Sequence, residues 1–410
     1  MPRLEVSRRG RDMECTPIIA LENRRMQLGR EGRDIVNFAG GEMDLPTPGP
    51  IVEAGVEALR AGYTRYTEDA GLIELREALC RKLARENGLD CSLEDVLITP
   101  GSKFALYAAL HVLCDPGDEV VIPAPFWPTY REQVLLAGAE PEIVSTSREN
   151  AFKLTCDELA ASVGPRTRAI ILNNPCNPTG AVYTREELEA LAGAALGEGL
   201  FVIVDEIYEH LVFEGPGHVS LASLGEDIRS RTITVGGCSK SFAMTGWRVG
   251  FAAGPPRVIA AMKALQSQVV SCANAAAQKA AAAALAAGPV TDFRETLRTR
   301  RDALMAALKT LPGFSPLLPA AGFYVFVDVH PILDRFRERR GREGEGKFPA
   351  GSAWLADALL EEASVALLPG SAFGAEGYLR LTFAPTPPPR IEEGVRRLRV
   401  FFAKSGVRRG

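Results

Sequence analysis

Short apolar runs alternate with amphipathic stretches along the chain from about residue 50. Five of these runs are rich in β-branched residues and have the length of strands, and they span residues 96–98, 119–122, 169–172, 201–204 and 232–235. Residues 71–86 and 184–196 have helical spacing, and Thr184 with Glu187 forms a capping-box pattern. Such alternation is typical of a mostly parallel sheet with helices on both faces. The pattern therefore predicts an α/β fold.

A smaller α+β domain is predicted after this pattern ends. The alanine-rich residues 271–287 and the arginine-rich residues 290–311 are predicted to be helices, and 341–346 an exposed loop. Three later runs predict strands at 322–327, 365–368 and 378–381. The predicted division of the chain is a flexible arm at 1–15, a segment at 16–46 that joins the small domain, a large domain at 47–288 and the small domain at 289–410.

Composition narrows the classes of function. The chain has 410 residues, more than one core usually serves, with 46% hydrophobic residues and a formal net charge of -4. Without a basic block, neither nucleic acid nor an anionic membrane is an expected partner, and a small-molecule substrate is. The eight cysteines lack the paired spacing of metal sites, so we predict no metal and reduced thiols. The charged start and the lack of a long apolar run predict a cytoplasmic protein.

Chemically active side chains follow three of the predicted strands. Asn177 comes shortly after the third run, Asp205 and Tyr208 follow the fourth, and Ser239 with Lys240 follows the fifth. In an open parallel sheet the ligand lies beyond the carboxyl ends of the strands. The sequence therefore predicts an amide, a carboxylate, a phenol and an amine at one edge of the sheet.

Lys240 is the candidate for covalent chemistry, because an apolar stretch follows it and would lower the pKa of its amine. A neutral amine can form an imine with the aldehyde of pyridoxal 5'-phosphate, whose ring nitrogen then needs a carboxylate such as Asp205. On spacing alone, Asp205 could instead cap a turn. Tyr208 and Asn177 could donate hydrogen bonds to the phenolic oxygen of the ring.

The remaining candidates would bind anions or stack on the cofactor. Gly101, Ser102 and Lys103 lead from a strand into a helix and would bind the phosphate, with Arg248 as a further donor. Trp127 could stack on the ring, although a lone tryptophan is more often core packing. Arg380, within an apolar strand, could bind a substrate carboxylate or lie on the solvent face of that strand.

Seven motifs in a fixed order carry a resemblance to a known family, and they lie at 63–66, 71–76, 101–103, 116–119, 177–180, 205–208 and 239–248. The chain resembles the class I and II aminotransferases of fold type I, especially the bacterial aspartate aminotransferase branch, from about residue 16 onward.

The resemblance implies a role for each candidate. It makes Lys240 the cofactor-binding and proton-shuttling lysine and Asp205 the partner of the ring nitrogen. The other implied contacts are Tyr208 and Asn177 with the ring oxygen, Gly101, Ser102, Lys103, Ser239 and Arg248 around the phosphate, Trp127 on the ring, and Arg380 with Gly41 at the substrate carboxylate. Tyr66 is implied to reach the phosphate of a neighbouring subunit, which implies a homodimer with shared sites.

Some positions depart from the family pattern. Gly237 stands where many relatives have a phosphate-binding serine, Met43 where proline is usual, and Ala321-Gly322 inverts a common glycine-alanine order. Residues 264–278 contain no arginine for a second substrate carboxylate. The cofactor site is therefore expected to be complete apart from one phosphate contact, with substrate fit left open.

Three functions are compared. The first is transamination between an L-amino acid and a 2-oxo acid. The second uses the same cofactor carbanion for elimination, cyclisation or carbon-carbon bond formation. The third, a ligand-sensing domain of a transcription factor, is disfavoured because fewer than about twenty residues precede the resemblance and the charge is acidic. The sequence does not name the amino donor, the acceptor, the pathway or an assembly beyond a dimer.

Overall fold

A computed structural model describes residue 6 and residues 17–215, 217–343 and 351–404. The predicted arm at 1–15 lies outside these residues, except for Val6. The predicted loop at 341–346 is wrong in its first part, because residues 341–343 continue a helix, and its remainder lies outside the described residues. Charged residues separated by single glycines are typical of a loop, but the helix before them continues through residue 343.

The strands of the described residues, in chain order, are β1 Val36–Asn37, β2 Val96–Thr99, β3 Glu119–Ala124, β4 Glu140–Ser145, β5 Thr167–Asn173, β6 Phe201–Asp205, β7 Thr232–Gly237, β8 Gly250–Ala253, β9 Ser315–Leu317, β10 Tyr324–Asp328, β11 Val365–Ala366, β12 Leu368–Pro369 and β13 Tyr378–Thr382. The helices are α1 Pro17–Arg30, α2 Gly49–Arg60, α3 Ile73–Lys82, α4 Ser102–Leu113, α5 Thr129–Leu136, α6 Cys156–Ser162, α7 Arg185–Gly197, α8 Glu226–Arg229, α9 Cys238–Ser241, α10 Pro256–Val269, α11 Ala275–Ala287, α12 Thr291–Leu308, α13 His330–Glu343, α14 Ser352–Ala363 and α15 Pro388–Lys404.

Seven strands form the large sheet, in the order β2-β8-β7-β6-β5-β3-β4. Only β8 runs antiparallel to its neighbours β2 and β7, so the other six strands are parallel to one another. The predicted α/β fold with a mostly parallel sheet is confirmed. All five predicted strands form, because their apolar runs are buried on both faces of the sheet.

Two strands of this sheet were not predicted from the sequence. β4 is an edge strand whose residues are mostly exposed, and it contains Pro141 and two glutamates. β8 has the sequence Gly-Phe-Ala-Ala, which lacks β-branched residues. Proline is tolerated at a sheet edge, and a short strand without β-branched residues depends on its neighbours for its conformation. Neither sequence therefore contains a local pattern that predicts a strand.

The predicted helices form with small changes at their ends. The capping box of α7 is present, because the Thr184 hydroxyl accepts from the Glu187 N–H and the Glu187 carboxylate accepts from the Thr184 N–H. The helix predicted at 71–86 begins at Ile73 and continues beyond α3 as a π-helical turn, Leu83–Asn87. The alanine-rich helix is α11, which begins at Ala275 rather than at 271.

The strands near the two ends of the chain form two smaller sheets. β12, β13, β10 and β9 make a four-stranded antiparallel sheet, and β1 pairs in parallel with β11. Strand β1 of the N-terminal segment thus pairs with the C-terminal part of the chain, and the division at 16–46 stays a prediction. Because the boundaries at 47, 288 and 289 follow from the sequence alone, they stay a prediction.

Separate apolar cores stabilise the large sheet and the two small sheets. Phe323, Phe373 and Phe383 are fully buried in the core around the small sheets, and the strands of the large sheet are covered by apolar clusters on both faces. In the described part of the chain, none of the helices combines the length and the apolar character that crossing a bilayer requires.

Candidate active site

The carboxyl ends of the parallel strands open into a cleft with a volume of about 470 Å³. Side chains from the large sheet, from the four-stranded sheet and from helix α1 line it. Those that the sequence predicted are Gly41, Ser102, Lys103, Trp127, Asn177, Asp205, Tyr208, Ser239, Lys240, Arg248 and Arg380. The sheet topology therefore brings eleven of the thirteen predicted residues together, as the rule for ligand sites in open parallel sheets requires.

Lys240 lies in α9, directly after the carboxyl end of β7. Its Nζ donates to the carbonyl oxygen of Gly41 and lies 5.7 Å from the centre of the Phe323 ring. Burial lowers the pKa of Lys240 to about 8, with Arg380 and Arg248 acting in the same direction and Glu42 opposing them. The neutral, nucleophilic fraction of this amine near neutral pH is therefore much larger than that of an ordinary exposed lysine, although most of the amine is still protonated at pH 7.

Asp205 ends β6 and is buried. Its Oδ1 accepts from the N–H of Ile207 at 3.1 Å, so the carboxylate does cap a turn. Its Oδ2 accepts from the hydroxyl of Tyr130 at 2.8 Å. Burial raises the pKa of Asp205 to about 6, against the effect of both hydrogen bonds. Such a carboxylate is poised to gain a cationic partner, since a cation would favour its charged form.

Two phenols and an amide also line the cleft. The hydroxyls of Tyr208 and Tyr324 lie 3.1 Å apart, and both rings are buried. The Asn177 Oδ1 accepts from Arg380 at 3.1 Å, which orients the amide so that its NH₂ group can donate elsewhere. This group can bind an oxygen atom of a ligand in the cleft.

An anion-binding arrangement lies at the start of α4. Gly101 precedes the helix with a φ of 86°, and a side chain there would place its Cβ 2.3 Å from Nη2 of Arg248. Ser102 and Lys103 form the first turn, whose N–H groups have no partner within the helix. Burial and the neighbouring Arg248 lower the pKa of Lys103. Two cations held close together favour binding of a dianion.

Arg380, in β13, is 2% exposed, which excludes the solvent-face alternative. Its guanidinium donates to Asn177 and to the carbonyl of Ala39, and it lies 4.0 Å from the centre of the Tyr324 ring. Among the residues that the structure describes, no carboxylate forms an ion pair with it, and its Nε has no hydrogen-bond partner. A buried guanidinium without a counter-ion requires an anionic ligand.

The remaining predicted residues differ in position. Trp127 lines the cleft and is partly buried, with its ring 4.9 Å from Nζ of Lys103. Ser239 is buried one residue before Lys240. Tyr66 lies outside the cleft and is 87% exposed in the single chain. Its implied role toward a neighbouring subunit stays a prediction.

Several residues of the cleft were missed from the sequence as site residues. Tyr130, three positions after Trp127, bonds Asp205, and Tyr324, in β10, contacts both Tyr208 and Arg380. Helix α1 contributes Ile18 and Glu22 to the lining. The spacing of Trp127 and Tyr130 by one helical turn is a weak local signal, whereas the contacts of Tyr324 and of α1 arise only from the packing of distant segments.

Three comparisons with known proteins agree with this geometry. A family profile described as aminotransferase class I and II matches residues 33–398. The aspartate aminotransferase of Geobacillus stearothermophilus is 39% identical over 401 residues, which cover 97% of this chain and 99% of that protein. The aspartate/prephenate aminotransferase of Nitrosomonas europaea is 37% identical over 399 residues, covering 96% and 99%.

Solved structures give the same result. The aspartate aminotransferase from Thermus thermophilus with maleate superimposes with a TM-score of 0.87 at 37% identity, covering 97% of this chain and all of that one. The aspartate aminotransferase from Rhizobium meliloti gives a TM-score of 0.89 at 33% identity, covering 97% and 98%. The chain therefore belongs to the class I and II aminotransferases. It is a pyridoxal-phosphate-dependent enzyme that transfers an amino group between an amino acid and a 2-oxo acid.

Proposed function

We propose that this chain binds pyridoxal 5'-phosphate covalently at Lys240 and transfers the amino group of a dicarboxylic amino acid, with aspartate as the preferred donor. The observation that carries the proposal is the buried guanidinium of Arg380, which has no carboxylate partner in the described part of the chain and lines the same cleft as Lys240. The relatives named as aspartate aminotransferases, one of them with maleate, support the choice of a dicarboxylic substrate.

The side chains of the cleft fit this cofactor. Arg248, Ser102 and Lys103 would hold the phosphate, since a helix N-terminus and two cations suit a dianion. Asp205 would face the ring nitrogen, and its raised pKa means that a cationic partner would stabilise its charged form. Tyr208 and the NH₂ group of Asn177 would bond the ring oxygen.

The cofactor, when bound, supplies an electron sink that makes the hydrogen on the substrate Cα acidic. Arg380 would bind the substrate α-carboxylate through its fork of N–H groups and so orient the Cα–H bond. Lys240, whose amine has a pKa of about 8, can then accept and return a proton near neutral pH. Gly41, whose carbonyl accepts from Lys240, leaves room beside the hydroxyl of Tyr324 for the substrate.

Lys103 is the cation that suits a second substrate carboxylate. Its Nζ lies over the Trp127 ring in the cleft, so it can reach a ligand above the cofactor as well as the phosphate. This would supply the contact for which residues 264–278 have no arginine. Aspartate would then be held at both ends, by the buried Arg380 and by Lys103, whereas alanine would use only one of these two cations.

We also propose a homodimer in which a second copy covers the face around Tyr66. Leu59, Tyr63 and Ile73 expose large apolar side chains in the same part of the sequence. An exposed apolar surface of this kind is typical of an interface. Light scattering of the purified protein at micromolar concentration would show twice the mass of one chain if the proposal is right, and the mass of one chain if it is wrong.

Absorbance spectroscopy tests whether the cofactor binds, and mass spectrometry tests whether it is attached to Lys240. Purified protein with added pyridoxal 5'-phosphate should gain a visible absorption band, and borohydride should fix the label on Lys240. The Lys240→Ala variant should fold, bind the cofactor without the covalent label and have no activity. A colourless, unlabelled wild-type protein would refute the proposal.

The test of the donor uses steady-state kinetics with product identification by mass. Arg380→Lys should lower kcat/KM for every amino acid by about ten- to a hundredfold, because a hydrogen bond to a charged group contributes about 1.5–3 kcal/mol. With saturating pyridoxal 5'-phosphate, Lys103→Met should raise KM for aspartate much more than KM for alanine. Equal effects on both donors would show that Lys103 serves the phosphate only. Release of ammonia and a leaving group, or a cyclised product, without transfer of the amino group to an added 2-oxo acid would favour the alternative reaction class.

A further inference from the structure

A buried charged cluster lies behind Asp205, on the side away from the cleft. It consists of Lys82, Glu86, Asn87, Glu206, Glu209, His210 and His218. Lys82 and Glu206 are each 2% exposed. The cluster joins the helical segment α3 and its π-helical extension to the residues that follow β6. None of these side chains lines the cleft, so the proposed reaction does not use them directly.

Within the cluster, Lys82 and Asn87 both form hydrogen bonds with Glu209. Lys82 Nζ lies 2.5 Å from Oε1 of Glu209 and 2.7 Å from Oδ1 of Asn87. The Asn87 NH₂ group donates to Oε2 of Glu209 at 2.9 Å. Burial opposes ionisation of Glu209, but Lys82 and the nearby histidines outweigh it and lower the pKa of Glu209 to about 2. Lys82 is therefore already paired with Glu209.

Glu206 has further partners, although the Asn87 NH₂ group also donates to its Oε2 at 3.4 Å. Its Oε1 accepts from the N–H of Leu221 at 3.2 Å, and its Oε2 lies 3.1 Å from Nε2 of His218. The contact with His218 lacks the alignment of a hydrogen bond, so its strength comes from charge. Burial lowers the pKa of His218, but Glu206 and Glu209 outweigh burial and raise it, with Lys82 acting against them.

The charges of the cluster do not balance without protons on histidine. Glu86, Glu206 and Glu209 bring three negative charges, and Lys82 and Arg85 bring two positive charges. Arg85 and His210 both pair with Glu86, at 2.5 Å and 2.9 Å, which leaves His218 as the group that can neutralise Glu206. The thiol of Cys238 also faces the cluster, and burial raises its pKa to about 12, so it stays neutral. An unpaired buried carboxylate is costly.

Glu206 directly follows Asp205 in the chain, and the negative charge of Glu206 raises the pKa of Asp205, after the larger effect of burial. Asp205 must carry a negative charge to stabilise a protonated ring nitrogen. A positive charge at His218 would offset the effect of the Glu206 charge on the pKa of Asp205. The cluster is therefore placed to influence the charge of the residue that faces the cofactor.

We propose that His218, as a cation paired with Glu206, is a positioning residue that keeps Asp205 ionised toward the cofactor. The inference rests on the proposed role of Asp205. His218 also lines a separate cavity of about 320 Å³, through which water can exchange protons with the ring. Loss of the proton from His218 leaves two adjacent buried carboxylates, and Asp205 then takes up a proton more readily and binds the ring nitrogen less tightly.

The test compares three variants of the full-length chain: His218→Gln, Glu206→Gln and the double variant. The first measurement is the dissociation constant of pyridoxal 5'-phosphate from the apoprotein, by tryptophan fluorescence. At pH 5, below the pKa of Asp205, His218→Gln should weaken binding about tenfold, which corresponds to a rise of about one unit in the pKa of Asp205. The double variant should bind nearly as tightly as wild type, because its neutral amide at position 206 lacks the charge that needed His218.

Two outcomes would overturn the inference. If the double variant binds as weakly as His218→Gln, the histidine supports the loop sterically and its charge is irrelevant. If His218→Gln binds the cofactor like wild type, the residue does not act on Asp205 at all. His330→Gln is the matched control, since His330 pairs with Asp328 at 2.9 Å outside the cleft and should leave binding unchanged.

A second measurement covers the case in which a variant fails to fold. The histidine resonances of wild-type apoprotein are titrated by NMR, and the His218 signal is assigned by its absence in any soluble His218 variant or by selective labelling. The pKa of His218 should lie above the ordinary range of a histidine, and a pKa below that range would refute the inference. If wild-type protein binds no cofactor while His218 is protonated, the proposed function fails and not the charge pairing.

Discussion

At the scale of the residue, the site depends on buried charges whose partners are neutral groups. Arg380 is bonded by an amide and a carbonyl, and Asp205 by a phenol and a backbone N–H. Hydrogen bonds from neutral groups hold a charged side chain in place without cancelling its charge. Both charges therefore remain available to the ligands proposed above, the cation of Arg380 to the substrate and the anion of Asp205 to the cofactor.

Tyr130→Phe should weaken cofactor binding. The change removes the 2.8 Å hydrogen bond to Oδ2 of Asp205, and a lost hydrogen bond to a charged group costs about 1.5–3 kcal/mol. The pKa of Asp205 should rise further, since this bond favours its ionised form. At pH 5, below the pKa of Asp205, fluorescence titration of the apoprotein should show a dissociation constant raised by about tenfold or more.

Tyr183→Phe is the control for this prediction. Tyr183 is also buried, and its hydroxyl accepts from the N–H of Leu154 at 2.8 Å, outside the cleft. It should lower the midpoint of thermal unfolding without changing cofactor affinity. Equal affinities for Tyr130→Phe and wild type would show that the phenol does not hold Asp205.

Gly101→Ala should disrupt the phosphate site. The new Cβ would lie 2.3 Å from Nη2 of Arg248, and the φ of 86° disfavours any side chain. Displacement of Arg248 should raise the dissociation constant of inorganic phosphate, measured by its competition with the cofactor. Gly117→Ala is matched in backbone conformation, with a φ of 91° and no atom within 4 Å, and should affect stability only. A Gly101→Ala protein with unchanged phosphate affinity would contradict the assignment.

At the scale of the element, several functional side chains lie just beyond a strand or at the start of a helix. Asp205 ends β6, Lys240 follows β7, and Ser102 begins α4. Backbone hydrogen bonding fixes these ends, so the side chains are positioned by rigid elements rather than by long loops. Strand ends and helix starts depend on local sequence patterns. This part of the arrangement can therefore be predicted from the sequence.

Thr184→Ala should destabilise α7 without affecting the site. The variant loses the hydroxyl that caps the N–H of Glu187, and loss of such a cap costs about 1 kcal/mol of the free energy of unfolding. Urea unfolding followed by circular dichroism measures the change, and Thr184→Ser should restore most of it. A loss of activity in folded Thr184→Ala would contradict the separation of this cap from the cleft.

At the scale of the molecule, the large sheet and the small sheets meet at the cleft, and the buried charged cluster lies behind it. Arg300, in α12, also pairs with Asp44 of the N-terminal segment at 2.7 Å. An ion pair between distant segments can change the pKa of its carboxylate. Where it does, the free energy of unfolding of the chain depends on pH.

Acid should destabilise the protein through Glu209. The pKa of Glu209 is about 2 in the folded chain, below the value of about 4.3 in an unfolded one, so its pairing stabilises the protein above that unfolded value. This stabilisation should be lost as pH falls from about 4 to 2. Glu209→Gln should be less stable than wild type at pH 7, and the difference in unfolding free energy should shrink toward pH 2. Glu392→Gln, on an exposed part of α15, is the control. A difference that stays constant with pH would contradict the prediction.

The sequence by itself determined the α/β class, the five predicted strands of the large sheet and the chemical groups at their ends. These features follow from local runs of apolar residues, from capping spacing and from ordered motifs, all of which act between near neighbours in the chain. Lys240, Asp205 and Ser102 could be predicted because a strand end or a helix start marks each of them.

Only the tertiary structure decided the rest. It placed Arg380 in the interior rather than on a solvent face, and it brought Tyr324 to Tyr208 and His218 to Glu206. It also supplied β4 and β8, whose sequences have no strand signal. Burial, the pairing of edge strands and the pKa of a buried group depend on segments far apart in the chain. No local pattern contains that information.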